Sequence, residues 1–308
     1  MNKIVAICGP TAVGKTAYSI EIAKKFDGEI VSCDSMQLYK YMDIGSAKPS
    51  SDELNQVKHH LIGVVEPREM FSVAKYKELA NEAIDDIISR GKLPIIAGGT
   101  GLYLDALLYD LDFAAAPSDS SLRDELYKIA EEKGNLELHA ILQECDPSSA
   151  KRIHPNNVRR VVRAIESAKS GVQLKDFARD LSLNDKYEFI LIGLRRDREE
   201  LYDRINRRVD VLVEEGLFEE VKMLREMGLS ESDISMKGIG YKEVLAYFDG
   251  EYDLETAIDT IKKNTRHFAK RQITWLKRYD DMKWFDLSES KDDKDSIREI
   301  ITWLEKGL

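Results

Sequence analysis

Short apolar runs alternate with longer amphipathic segments in the first third of the chain, and one more apolar run follows near residue 190. Helical periodicity appears at 15–26 and 72–90, where Ser72 is a suitable N-cap and Gly91 follows the end. The apolar runs have the length and composition of buried parallel strands. They span residues 3–8, 29–33, 93–99 and 187–194. This alternation predicts an α/β fold with a parallel sheet flanked by helices.

The segment from 116 to 186 shows no strand pattern, and its apolar residues recur at helical spacing instead. We therefore predict an all-helical insertion domain at 116–186 and an α/β core formed by 1–115 and 187–308. Helical spacing resumes after residue 198, so further helices should complete the core.

The composition narrows the class of protein. Cys8, Cys33 and Cys145 are odd in number and are not spaced as metal ligands, which argues against a disulfide scaffold and a zinc site. No run approaches the roughly 18 apolar residues of a membrane span. The first residues also lack the pattern of a signal peptide. We expect a cytoplasmic monomer without a membrane segment.

The charge pattern points to a localised polyanion site. A formal net charge of −10 argues against binding nucleic acid by bulk attraction alone. However, the segments 151–175 and 260–279 contain many more bases than acids. Such a chain could hold a polyanion in one groove, although solvated basic helix faces are the simpler alternative.

A glycine-rich loop between the first strand and the first helix matches the pattern GxxxxGK[ST]. Its glycines let successive N–H groups converge on one concavity, and the helix dipole adds positive charge there. Lys15 supplies a full charge, and the Thr16 hydroxyl can hold Mg²⁺. The loop consists of Gly9, Pro10, Thr11, Ala12, Val13, Gly14, Lys15 and Thr16. It predicts a P-loop NTPase-like core that binds a di- or triphosphate, without deciding the reaction.

Two more loops should meet this one, because ligands in open α/β sheets bind at the carboxyl ends of the strands. Residues 34–37 (DSMQ) follow the second strand, and residues 98–101 (GGTG) follow the third. Asp34 is a general base, a metal ligand or only a loop cap, and the glycine segment is a binding loop or a plain turn. No apolar run ends in a Walker-B type aspartate, which weakens the case for an ordinary kinase.

Eight ordered segments make the chain similar to a known family. They are GPTAVGKT (9–16), DSMQLYKYMDIGSAKP (34–49), HHLI (59–62), FSVAKY (71–76), LPIIAGGTGLYLDALL (93–108), RIHPNNVRRVVRAIE (152–166), IGYKE (239–243) and AKRQITWLKR (269–278). Together they resemble the bacterial tRNA dimethylallyltransferases, the tRNA isopentenyltransferase family, over about residues 3–280. The chain departs from the usual family pattern at Lys40-Tyr41 (Arg-Gly), Gly63 (Asp) and Asn157 (Asp).

The resemblance implies transfer of a dimethylallyl group from dimethylallyl diphosphate to N6 of adenosine 37, in tRNAs that read codons beginning with U. Diphosphate is then the leaving group, bound by the loop, by Lys15 and by Mg²⁺ on Thr16. Asp34 is implied as the base at N6–H. Arg207 is implied near the diphosphate or the reacting end, with a surface arginine on an amphipathic helix as the alternative. A base is chemically reasonable there, because the lone pair of an exocyclic adenine amine is delocalised.

The resemblance also implies a base flipped out of the anticodon stem-loop and a set of tRNA contacts. Arg159, Arg160 and Arg163 can share one helix face toward a phosphate backbone. The implied tRNA-binding residues are Asp34, Ser35, Met36, Gln37, Thr100, Arg123, Arg159, Arg160, Val161, Val162, Arg163, Lys237, Gly238, Ile239, Gly240, Tyr241 and Lys242. Phe268 and Trp275, seven residues apart, are predicted to pack in the core rather than to stack bases.

Three other functions stay open. One is a P-loop kinase for a small molecule, which would use the same phosphate loop. Another is an adenylate isopentenyltransferase that modifies free nucleotide, although a free nucleotide needs no basic helical insertion. The last is an RNA-binding module without catalytic activity.

Overall fold

The computed structural model describes residues 2–109, 111, 120–171, 182–290 and 292–308, and it confirms the α/β fold. Six parallel strands form one sheet in the order β3-β2-β4-β1-β5-β6. Their bounds are β1 Asn2–Cys8, β2 Gly28–Cys33, β3 His59–His60, β4 Leu93–Gly98, β5 Tyr187–Arg195 and β6 Lys283–Asp286. The four strands predicted from the sequence are present, and the short β3 and β6 extend the sheet at its two edges.

Helices cover the sheet and also form a separate unit. The helices before the separate unit are α1 Lys15–Lys25, α2 Ser51–Gln56, α3 Val73–Ser89 and α4 Gly101–Leu108. The separate unit contains α5 Ser120–Lys133, α6 Asn135–Cys145, α7 Pro147–Arg152 and α8 Val158–Lys169. The later helices are α9 Arg198–Glu214, α10 Leu217–Glu226, α11 Tyr241–Phe248, α12 Leu254–Leu276 and α13 Asp293–Leu304, with a 3₁₀ turn at Ser235–Lys237.

The chain divides into two compact units, one built from Met1–Tyr109 with Leu183–Leu308 and the other from Asp110–Ser182. The sequence placed the insertion at 116–186, and the second unit ends a few residues before the predicted end at 186. The predicted boundary at 116 itself falls outside the described residues. The second unit has its own apolar core, which includes Leu126, Leu142 and Ile165.

The strands are apolar almost throughout because the sheet is covered on both faces. Successive residues of a strand point to opposite faces, so Ala6 and Val31 belong to one apolar cluster while Val5 and Ile30 belong to the other. Helix starts follow the sequence as well, since the Ser72 hydroxyl accepts the N–H of Lys75 at 3.2 Å and caps α3. Within the described residues, none of the helices combines the length and the apolar character needed to span a membrane.

Candidate active site

Three loops meet at one edge of the sheet, because the parallel strands β1, β2 and β4 end at the same level. Cys8 of β1 and Cys33 of β2 both pair with Gly98 of β4, so all three chains leave the sheet together. A Cβ at Gly98 would lie only 2.1 Å from the carbonyl oxygen of Cys33. Only glycine allows the loop after β4 to pass this close to the loop after β2.

The phosphate loop has the backbone that anion binding requires. Ala12 and Gly14 adopt positive φ angles of 63° and 117°, which turn the chain sharply before α1 begins at Lys15. The first N–H groups of a helix have no intrahelical acceptor and point, with the positive end of the dipole, toward the loop. Thr11, Ala12, Gly14, Lys15 and Thr16 line a cavity, while Gly9, Pro10 and Val13 form the buried back of the loop.

The ammonium group of Lys15 lies within the loop and donates a hydrogen bond to the Pro10 carbonyl at 2.8 Å. Burial lowers the pKa of Lys15 to about 8, and the negative charge of Asp34 opposes part of this shift. The ammonium group has two further N–H donors and lies among the residues that line the cavity.

Asp34 both caps its loop and faces the cavity. Its Oδ1 atom accepts the backbone N–H of Met36 at 2.8 Å and that of Gln37 at 3.4 Å, while the residue also lines the cavity. Within the described part of the chain, Oδ2 has no hydrogen-bond partner. Both predicted roles are therefore compatible in one side chain: Oδ1 caps the loop, and Oδ2 is available to the cavity.

The two neighbouring loops are tied together around this carboxylate. The Thr100 hydroxyl accepts the N–H of Ser35 at 3.2 Å, and the N–H of Thr100 donates to the Cys33 carbonyl. Gln37 lines the cavity, whereas the Met36 side chain approaches Gly238. The structure therefore brings Asp34, Gln37 and Thr100 together at the predicted sheet edge.

The cavity has a volume of about 250 Å³ and combines charged and apolar walls. Lys48 and Arg208 add two cations to the one supplied by Lys15. Ile62, Ala97 and Phe268 contribute apolar surface. Phe268 therefore lines the cavity, so the prediction that it packs in the core is wrong. Lys48 and Arg208 are cavity residues that the sequence motifs did not indicate.

Arg207, predicted near the diphosphate, instead lies on the outer face of α9. Its side chain is 69% exposed and pairs with Asp203 one turn earlier. The next residue, Arg208, lines the cavity and donates to the Ala47 carbonyl at 3.3 Å. Helical periodicity could have separated the two: at about 100° per residue, Arg208 lies roughly 60° from the centre of the buried stripe, and Arg207 lies roughly 160° away. That stripe consists of Leu201, Ile205 and Val209.

The segment 237–242, predicted to contact tRNA, contains both exposed and buried members. Lys237 and Lys242 are exposed, while Gly238 and Ile239 are partly covered and Gly240 is buried. Tyr241 is fully buried, and its hydroxyl donates to Glu220 at 2.8 Å. A tRNA contact by the Tyr241 side chain is therefore wrong, because that side chain belongs to the core.

The predicted tRNA-binding residues of the helical unit also include both exposed and buried side chains. Arg159 and Arg160 on α8 are exposed, whereas Val161 and Val162 are buried in the core of the unit, which contradicts contact by these two side chains. Glu166 is buried and accepts a bidentate pair from Arg123, with Arg163 at 3.6 Å. Two of the predicted tRNA-binding arginines, Arg123 and Arg163, therefore share this buried acid as a partner.

These observations define a P-loop α/β protein whose phosphate loop lines a cavity at the carboxyl edge of its sheet. The family model described as IPP transferase matches residues 37–279. The chain belongs to the IPP transferase family, as the sequence motifs suggested.

Individual relatives agree with this assignment. The tRNA dimethylallyltransferase of Alkaliphilus oremlandii is 49% identical over 301 residues, which cover 97% of this chain and 96% of the relative. The one from Clostridioides difficile is 49% identical over 310 residues and the full length of both chains.

Solved structures agree as well. The tRNA isopentenylpyrophosphate transferase of Bacillus halodurans superposes with a TM-score of 0.75 at 44% identity, covering 99% of this chain and 96% of that one. A eukaryotic dimethylallyltransferase acting on tRNA gives 0.84 at 29% identity, covering 100% of this chain and 80% of its own. The predicted P-loop core and the predicted prenyl-transfer class of enzyme are both confirmed.

Proposed function

We propose that this enzyme transfers a dimethylallyl group from dimethylallyl diphosphate to N6 of adenosine 37, in tRNAs that read codons beginning with U, and releases diphosphate. The observation that carries the proposal is the composition of one cavity, where a phosphate loop, an available carboxylate oxygen and an apolar wall occur together. A prenyl diphosphate has a charged end and a hydrocarbon end, which match the two kinds of wall. The family and the names of the relatives support the same reaction.

The diphosphate binds at the phosphate loop in this proposal. Loop N–H groups, the Lys15 ammonium and the Arg208 guanidinium stabilise the negative charge that grows as the C1–O bond of the donor breaks. Arg208 takes the role that the sequence resemblance gave to Arg207, because Arg208 is the arginine that lines the cavity. Ile62 and Phe268 offer apolar surface to the hydrocarbon.

Mg²⁺ fits the donor set of this cavity when it arrives with a diphosphate. In the described residues, no group of three or more His, Cys, Asp or Glu side chains could hold a metal ion alone. Mg²⁺ normally keeps several waters and takes one or two protein oxygens together with substrate phosphates. The Thr16 hydroxyl lines the cavity and would hold the ion, and the ion would neutralise charge on the diphosphate.

Asp34 is proposed as the general base. Its Oδ1 atom is occupied by the loop, so Oδ2 takes the proton from N6 as the N6–C1 bond forms and the C1–O bond breaks. The nitrogen lone pair forms the new bond, the electrons of the C1–O bond leave with diphosphate, and the proton ends on the carboxylate. Base catalysis of this kind contributes about 10² to 10⁴ in rate.

We assign the tRNA anticodon stem-loop to exposed cations of both units, each considered by itself. Arg159 and Arg160 in the helical unit, and Lys237 and Lys242 in the α/β unit, are exposed and suited to backbone phosphates. Arg123 and Arg163 are partly exposed while they pair with Glu166, so they can reach a phosphate through their remaining N–H groups. We further propose that the enzyme works as a monomer in the cytoplasm.

The test is an incubation of the protein with labelled dimethylallyl diphosphate, Mg²⁺ and unmodified tRNA, followed by nucleoside mass spectrometry. We expect one five-carbon group on adenosine 37, and none on a tRNA with guanosine at that position. A parallel reaction with free AMP tests the adenylate alternative, and labelled ATP tests the kinase alternative. Modification of AMP in preference to tRNA, or transfer of the terminal phosphate of ATP, would overturn the proposal.

A further inference from the structure

The carbonyl groups of the phosphate loop receive hydrogen bonds from arginines that do not line the cavity. The Ala12 carbonyl accepts Nε of Arg204 at 3.0 Å. The Val13 carbonyl accepts Nε of Arg196 at 3.1 Å. Neither arginine is among the residues around the cavity, so both approach the loop from behind.

These contacts fix the direction of loop N–H groups through the geometry of the peptide bond. A trans peptide is planar, and its C=O and N–H bonds point in opposite directions. The peptide that carries the Ala12 carbonyl also carries the N–H of Val13, and the one that carries the Val13 carbonyl carries the N–H of Gly14. When Arg196 holds the Val13 carbonyl outward, the N–H of Gly14 is turned to the opposite side. The N–H of Val13 instead donates to the Pro10 carbonyl at 3.4 Å.

Arg196 is itself held rigidly. Its side chain is only 6% exposed, and its two terminal nitrogens donate to Glu200 at 2.7 Å and to Asp293 at 2.7 Å. A guanidinium has its donors in a fixed planar fork, so three partners in three directions determine its orientation. The N–H donor that the Val13 carbonyl accepts is therefore fixed in position.

Asp293 links this arrangement to the C-terminal helix. It is the first residue of α13, and the same Oδ1 atom that binds Arg196 also accepts the hydroxyl of Tyr18 on α1 at 2.9 Å. Helix α13 is anchored by Ile300 and Leu304, which are fully buried in the apolar cluster that also contains Ile22 of α1. The carboxylate thus bridges the helix that follows the phosphate loop and the arginine behind it.

We propose that Arg196, oriented by Asp293, is a positioning residue for the diphosphate site, and that α13 is thereby part of the phosphate-binding machinery. The contacts of Arg196 and Asp293 orient the loop amides before the anion binds. The loss of conformational entropy on binding is therefore smaller. The identity of the anion as a diphosphate rests on the proposed function, whereas the orientation of the amides does not.

The first test measures the binding of inorganic diphosphate with Mg²⁺ to the whole protein by calorimetry. We expect Arg196→Lys to raise the Kd about tenfold, because lysine keeps the charge but lacks the rigid planar fork that directs donors to three separate partners. Asp293→Asn should raise it about threefold, since the arginine loses a charged partner. The matched control is Arg195→Lys, because Arg195 pairs with Asp286 at 3.1 Å and does not contact the loop; its Kd should equal that of the wild type.

Steady-state kinetics supply a readout that a general loss of folding would not give. For Arg196→Lys and Asp293→Asn, the KM for the prenyl donor should rise with the diphosphate Kd, while the KM for tRNA stays at its wild-type value. Amide hydrogen exchange should be faster at Gly14 in these variants, with strand β1 unchanged. Wild-type exchange at Gly14, or wild-type diphosphate affinity in Arg196→Lys, would overturn the inference.

The inference and the proposed function fail in different ways. If the wild type binds diphosphate but transfers no prenyl group, the proposed function is wrong, and the comparison of variants by calorimetry and exchange still decides the inference. If the wild type modifies tRNA while Arg196→Lys and Asp293→Asn bind diphosphate normally, the inference is wrong and the proposed function stands.

Discussion

Strand β2 has a carboxylate at each end, and the protein surrounds the two in opposite ways. Glu29, near the start of the strand, is 4% exposed and is paired with both terminal nitrogens of Arg90, while His60 lies 2.8 Å from its Oε2 atom. The hydrogen bonds from Arg90 are the main reason that its pKa falls to about 2, with burial opposing the shift and His60 supporting it. Asp34, just beyond the end of the strand, has partners on one oxygen only.

This difference separates a carboxylate that stabilises the fold from one that can do chemistry. A carboxylate whose lone pairs are all engaged cannot accept a proton near neutral pH without losing hydrogen bonds. Asp34 is fixed in place through one oxygen, and the proposed mechanism uses the other as the base. The position also matters, because the carboxyl ends of parallel strands are where loops form a binding cavity.

The largest effect that we predict follows from replacing Asp34 with asparagine. The amide oxygen can still cap the loop, but the side chain can no longer take a proton. Turnover should fall by about 10² to 10⁴, or about 3–5 kcal/mol in the barrier. The rate under saturating substrates, measured together with tRNA affinity and thermal unfolding, checks this result. Unchanged turnover would remove Asp34 as the base, and lost tRNA binding would point to a different role.

The opposite signature is expected for Glu29→Gln, which should affect stability and leave the turnover of the folded enzyme unchanged. Since the folded pKa is about 2 and the ordinary value is 4.5, the charged form contributes about 3 kcal/mol at neutral pH. A depressed pKa gives stability that is complete above about pH 4.5 and is lost as the pH falls toward 2. Urea unfolding from pH 7 to pH 3 should show the variant and the wild type converging at the acid end; a constant difference would contradict the assignment.

The contrast between the two ends of β2 also indicates what a sequence can reveal. The four long strands and the phosphate loop were predicted correctly, because apolar runs and a glycine motif are local patterns, whereas the role of Asp34 stays a prediction. The two-residue strand β3 and the four-residue β6 are too short to give such a pattern. Their place in the sheet depends on pairing with residues far away in the chain.

Side-chain partners were the harder part, because they depend on tertiary contacts. Nothing local in the sequence shows that Tyr241 is buried against Glu220, or that Glu166 pairs with Arg123, 43 residues earlier. The choice between Arg207 and Arg208 is different, since helical periodicity alone contained the answer.

That pair of arginines extends the comparison from carboxylates to cations. Arg208→Gln removes a charge from the cavity and should lower kcat/KM for the prenyl donor by about 10- to 100-fold, the usual value of a charged hydrogen bond. Arg207→Gln removes a charge that is paired with Asp203 on the surface, so kcat/KM should change by less than about twofold. Equal losses of kcat/KM in the two variants would show that the net charge of α9, and not the position of Arg208 in the cavity, affects the reaction.

The smallest effect concerns a third carboxylate, which has partners on both oxygens and yet lies beside a cavity loop. Glu220 accepts the backbone N–H groups of residues 43–45 at 2.7–2.9 Å and the Tyr241 hydroxyl at 2.8 Å. Tyr241→Phe removes one of these four donors, so the free energy of unfolding should fall by about 1 kcal/mol. Chemical denaturation measures this change.

The kinetics of Tyr241→Phe then test whether a carboxylate with partners on both oxygens affects stability alone. Three backbone donors remain on Glu220, and the loop continues into Ser46 and Lys48, which line the cavity. If saturated carboxylates act on stability alone, turnover and the KM for the prenyl donor should stay within about twofold of the wild type. A tenfold loss of turnover in a stably folded variant would mean that Glu220 positions the cavity wall. The division between structural and chemical carboxylates would then depend on which loop a carboxylate holds rather than on how many partners it has.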